Sequence, residues 1–124
     1  MSDNFRAKGD IVNYVAGGTI TSGQAVKMSH TLGVALKSGV SGDTIPVAIE
    51  GVYEMNKVDA AVFVVGEKLI WDVSEDSNAG GFDDSAATPA SGDITGAAIA
   101  MRAGAASETT CLVKLTPGNA TLTP

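Results

Sequence analysis

Ile45-Pro46-Val47-Ala48-Ile49-Glu50-Gly51-Val52-Tyr53-Glu54-Met55 points to the fold class by the alternation of its side chains. Its odd positions carry Ile45, Val47, Ile49, Gly51, Tyr53 and Met55, and its even positions Pro46, Ala48, Glu50, Val52 and Glu54. Successive side chains on a strand point to opposite faces, so this spacing predicts one long strand with an apolar face on a core. Helical spacing fits worse, because Glu50 and Glu54 would share a face with Pro46 and Gly51 breaks the middle. Gly51 predicts a bend or bulge. Pro46 cannot donate to a ladder, so the strand is expected to start there or to lie at a sheet edge.

Shorter apolar runs flank this stretch. Residues 10–15 read as a first strand, and Ala16-Gly17-Gly18 as a turn. Residues 25–28 and 32–36 read as a strand pair across Ser29-His30-Thr31. Beyond the central stretch, 60–65 is apolar and 68–71 follows a Gly66-Glu67 turn. Residues 94–102 are alanine-rich and compatible with a short helix, but Gly96 and Gly104 bracket them and favour a strand. Residues 109–115 read as the closing strand. Many short strands between glycine-rich turns predict an all-β fold, a small barrel or sandwich. The expected organisation is a flexible N-terminal arm over 1–9, one β domain over 10–116 and a loose tail over 117–124. Residues 72–93 hold six acids and no base, and read as an exposed acidic loop with Phe82 as its one anchor.

The 124 residues suit one domain, and aromatic side chains make up only 5% of them, which predicts a thin aliphatic core. A formal net charge of −6 repels phosphate backbones and argues against nucleic-acid binding. One cysteine excludes an intrachain disulfide, and no apolar run is long enough for a membrane helix. The first ten residues lack the apolar centre of a signal peptide, so synthesis and folding in a cytoplasm are expected.

The candidate chemical sites each have a plainer explanation. His30, the one histidine, sits in a predicted turn and cannot build a multi-histidine metal site. Cys111 alternates with Val113 and Leu115 and reads as a core thiol. Asp72, Ser74, Asp76, Asn78, Gly80 and Asp83 fall at calcium-loop spacing, but Ser77 replaces the obligatory glycine and Asp83 the bidentate glutamate. Glu50 and Glu54 share a strand face but would stand roughly 13 Å apart, too far for a glycosidase pair. Residues 39–44 lack the lysine of a phosphate loop. Trp71 fits core or interface equally. No catalytic set, cofactor site or metal site emerges, and the chain reads as a non-enzymatic β domain with interaction surfaces.

The order of segments resembles the capsid decoration (cement) proteins of tailed phages. The matching pieces are Gly9-Asp10-Ile11, Ile20-Thr21-Ser22-Gly23-Gln24-Ala25-Val26, Leu32-Gly33-Val34-Ala35, and Val47-Ala48-Ile49-Glu50-Gly51-Val52-Tyr53-Glu54. Gly66-Glu67-Lys68-Leu69-Ile70-Trp71-Asp72, Gly96-Ala97-Ala98-Ile99-Ala100 and Val113-Lys114-Leu115 complete the set. The 72–93 excursion departs from that pattern in length and acidity. The resemblance implies a structural protein on the outer surface of a phage head, bound to the major capsid protein as a homotrimer and stabilising the shell. The competing reading is a β-sandwich module that binds carbohydrate or a receptor on a virion or cell surface. Within the cement reading, Phe5, Arg6 and Lys8 are the expected capsid contacts of the arm. Phe63, Ile70 and Trp71 are the expected subunit interface.

Overall fold

The computed structural model describes residues 7–124. The central stretch is not one strand but two: β4 spans Thr44–Ala48 and β5 spans Val52–Asn56, in different sheets. Gly51 is the reason. Its φ of +117° is costly for a residue with a Cβ, and there the chain leaves one sheet and enters the other. The alternation nonetheless assigns the faces well. Ile45, Val47 and Met55 are buried, whereas Glu50, Val52 and Glu54 are exposed.

The first sheet combines β4 with β1 (Ile11–Val15), β2 (Ala25–Met28) and β3 (Thr31–Ala35), in the order β1-β4-β3-β2, all antiparallel. Pro46 therefore sits inside an interior strand, neither at its start nor at an edge. The fold tolerates it because β3 ends beside it. The Pro46 carbonyl accepts the Leu36 amide at 3.0 Å, just past the last β3 residue. A residue's N–H and C=O face the same neighbour in an antiparallel ladder, so the missing donor faces the point where pairing stops. Ala16, Ile20, Val26, Ala35, Ile45 and Val47 form a small core on one face of this sheet.

The second sheet holds β5, β6 (Lys68–Asp72), β7 (Gly81–Asp83), β8 (Ile94–Ala100) and β9 (Thr110–Leu115), in the order β5-β9-β8-β6-β7. A short strand, β10 (Thr121–Leu122), also pairs with β8. The sheet curls until its ends meet. Lys57 bridges Phe82 in parallel, and the Val58 amide donates to the Phe82 carbonyl at 2.9 Å. Its interior is the larger core, with Phe63, Leu69, Trp71, Phe82, Ile94 and Val113 all at most 3% exposed. Leu32 and Val34 of the first sheet pack into it too, and tie the two sheets together.

The alanine-rich stretch is a strand over Ile94–Ala100, and Gly96 at φ +83° could not continue a right-handed helix there. Two segments carry more order than expected. Residues 72–93 contain β7, a tight turn over Glu75–Asn78 in which Asp76, Ser77 and Asn78 take positive φ, and a Phe82 that is 0% exposed. Phe82 meets Trp71 edge to face, with ring centroids 4.8 Å apart. At the C-terminus, β10 is held by Thr121–Thr95 and Leu122–Ile94 pairing rather than left loose.

Candidate docking surface

The residues expected at a subunit interface lie inside this chain's own core. Phe63, Ile70 and Trp71 are 1%, 4% and 3% exposed, so their apolar area is already spent and they offer no surface to a second copy. Phe5 and Arg6 lie outside the described residues, while Lys8 is exposed three residues before the start of β1 at Ile11. His30 is exposed in the β2–β3 hairpin, its Nδ1 3.2 Å from the Ser29 hydroxyl. Cys111 is buried, and burial pushes its thiol up to about 12. Its Sγ–H points at the Met55 and Asn56 carbonyls, at 3.5 and 3.7 Å. Glu50 is exposed, and exposed Glu54 lies 3.8 Å from Arg102. Among the described residues, no group of three or more His, Cys, Asp or Glu is placed to hold a metal ion.

A cleft of about 310 Å³ opens between the sheets, with Gln24, Glu54, Asn56, Trp71 and Thr110 among its walls. Glu54 is its one titratable side chain, so it has no acid–base pair. Trp71 forms part of the wall but is almost fully covered.

The exposed apolar surface is more informative. Segment 60–66 forms no strand, yet it alternates: Ala61 and Phe63 point into the core, while Val62 and Val64 are 57% and 66% exposed. Val65 is 65% exposed and Met101, on the adjacent β8–β9 connection, 37%. This apolar protrusion is firmly mounted. Phe63 exchanges both backbone hydrogen bonds with Gly104, at 2.9 and 3.1 Å, and a Cβ on Gly104 would press to 3.0 Å of the Phe63 ring.

Lys57 fastens the same end. It is 3% exposed, and its ammonium donates to the carbonyls of Val58 at 2.9 Å and of Asp59 and Glu108 at 3.3 Å. All three of its protons thus have partners, with the Phe63 ring centroid 5.5 Å away. Glu67 completes the mounting. One carboxylate oxygen accepts the Val64 amide at 3.0 Å, and the other accepts the Ser85 amide and hydroxyl at 2.7 and 2.8 Å. The Ser85 amide is the main reason that the Glu67 carboxyl is held below its usual range, with the Val64 amide and Ser85 hydroxyl adding to it.

A buried lysine bound only to carbonyls has no sequence signature, so Lys57 is invisible to pattern reading. The valines had one, since alternation around Phe63 places them outward once Phe63 is taken as core. Rigid, exposed apolar side chains cost little conformational entropy to dock, which is what a protein-binding surface needs. A second apolar strip runs across the first sheet, where Ile11, Val15 and Leu36 are 45%, 64% and 43% exposed around half-buried Pro46.

No curated protein matches the chain. A family model described as phage cement protein matches residues 7–115, which covers β1 through β9. With every strand of both sheets except β10 inside that match, the chain belongs to the phage cement protein family.

Proposed function

We propose that this protein binds the outer surface of an assembled phage head as three copies about a symmetry axis and reinforces the shell. The observation that carries the reading is the family match across 109 residues, from 7 to 115. The rigid valine protrusion supports it, because it gives copies or shell subunits an apolar contact that needs no reorganisation. Val62, Val64 and Val65 replace Phe63, Ile70 and Trp71 as the apolar contact between copies. Fully burying each valine contributes roughly 1.5–3 kcal/mol.

The N-terminal arm is the second contact in this proposal. Phe5 supplies an apolar anchor, and Arg6 and Lys8 supply positive charge in a chain of net charge −6. They suit acidic ground on the shell, and three arms on one trimer make the later contacts effectively intramolecular. The protein is then made in the host cytoplasm and ends on the virion exterior. The test is co-sedimentation with undecorated heads, full-length protein beside protein lacking residues 1–8. Binding by the first and loss of most binding by the second is expected. Equal binding would remove the arm from the account, and no binding by either would remove the decoration role.

A further inference from the structure

The first sheet ends at β1, and its outer edge is bare among the described residues. The ladder to β4 fixes which backbone groups point where. Asp10 accepts the Ile49 amide at 2.9 Å, and Ala16 donates to the Asp43 carbonyl at 2.8 Å. Both therefore bond toward β4. Antiparallel strands alternate their bonding direction residue by residue, so Val12 and Tyr14 also bond toward β4. The amides and carbonyls of Ile11, Asn13 and Val15 then point away from the sheet. Edge strands are normally blunted by a lysine, a proline, a bulge or a covering loop. The sequence Ile11-Val12-Asn13-Tyr14-Val15 has no charge and no proline, and its pairing with β4 runs without a bulge.

This edge is also its own complement. In an antiparallel pair centred on Asn13, Asn13 of one copy faces Asn13 of the other, and Ile11 faces Val15. The two asparagines exchange both backbone bonds, and their amide side chains meet on one face. The Ile–Val pairs lie on that same face beside Leu36 and Pro46, and extend the apolar strip across the junction. The charges agree. Asp10 of one copy comes opposite Ala16 of the other, so no like charges meet in the ladder.

We propose that β1 pairs antiparallel with β1 of a second copy about a twofold axis at Asn13, joining two four-stranded sheets into one of eight strands. This contact is distinct from the valine protrusion and does not depend on how the protein meets a shell. Carbohydrate or nucleic acid would not use it, because what it offers is a row of backbone donors and acceptors at strand spacing.

Disulfide trapping tests it on the full-length protein. Cα atoms of a directly opposed, hydrogen-bonded antiparallel pair are about 5.5 Å apart, within disulfide reach. Asn13→Cys should cross-link into covalent dimers under mild oxidation, at least about tenfold faster than Ser22→Cys, an exposed site away from the edge. The native Cys111 is buried and does not compete. Asn13→Lys, which sets two ammonium groups face to face, should abolish the corresponding self-association of the otherwise wild-type chain in sedimentation velocity. Equal trapping rates for the two cysteine variants would overturn the proposal. Trapping of Asn13→Cys only after removal of residues 2–6 would assign the edge to the chain's own N-terminal segment instead. Association unchanged by Asn13→Lys would also refute it.

Discussion

Replacing Lys57 with methionine should loosen the valine protrusion before it unfolds the protein. The substitution keeps an unbranched stem in a site only 3% exposed and removes the ammonium that three carbonyls share. Hydrogen bonds from a charged donor contribute about 1.5–3 kcal/mol each, so three give a gross loss of at least about 4.5 kcal/mol. Two effects reduce that figure. Asp59 and Glu108 are exposed, so their carbonyls regain water. The variant also no longer desolvates a cation, which offsets part of the loss. The Val58 carbonyl is less accessible and keeps most of its deficit. A net loss of about 2–3 kcal/mol follows, or roughly 6–10 °C in Tm for a domain of this size.

Thermal unfolding measures the total, and amide hydrogen exchange shows where it falls. The amides bonded across the Lys57 region should exchange faster: Phe63 to Gly104, Gly104 to Phe63, and Ser107 to Asp59. Amides in β1 and β4 should keep their protection as long as the global fold holds. A Tm within about 2 °C of wild type would refute the reasoning, since that is less than 1 kcal/mol. Uniform acceleration across both sheets would refute the local assignment.

Gly80→Ala should cost about 2–5 kcal/mol, because φ is +93° there and the new Cβ would enter the Trp71 indole. The emission of Trp71, the one tryptophan, should change with it, and an unaltered Tm and spectrum would contradict the packing described. Asp83→Asn should stabilise the protein at neutral pH. Burial foremost, with the charges of Asp84 and Asp72, raises the Asp83 carboxyl. The folded state therefore holds this proton more tightly than the unfolded chain does. Asp83 withdraws stability as pH rises from the ordinary carboxylate range through its raised folded value, and fully above it. Urea midpoints should show the gain at neutral pH and none in strong acid, and a loss at neutral pH would reverse the sign. Cys111, with its thiol near 12, should resist thiol reagents at pH 8 until denaturant is added, and prompt labelling of native protein would show the core to be open.

Local chemistry made the faces of the fold legible and left its connectivity hidden. Period-two alternation put Ile45, Val47 and Met55 inside and Glu50 and Glu54 outside, because side-chain direction is a local property. Continuity through Gly51 is not local. The same alternation survives whether the chain runs straight or crosses to another sheet, so β4 and β5 read as one strand. Pro46 misled for a related reason: what excuses it is the end of β3, more than ten residues earlier in sequence. Phe82 was visible as an anchor among acids, but its strand partner on β6 was not.

The docking surface shows the same division. Large aromatic side chains invite assignment to an interface, yet in a chain with few of them the core takes them first, and Phe63 and Trp71 are inside. The valines on either side of Phe63 are left to face outward. Lys57 has no pattern at all, because its partners are backbone carbonyls brought together from residues 58, 59 and 108.

Decoration of the outside of a phage head by this protein is directly visible in electron cryomicroscopy of heads with and without it. Purified undecorated heads are imaged before and after incubation with saturating full-length protein. The account predicts added density confined to the outer surface, at positions that repeat with the shell's symmetry and fit copies of the two-sheet chain. Difference maps with no ordered density outside the shell, or with density on the inner surface, would contradict it.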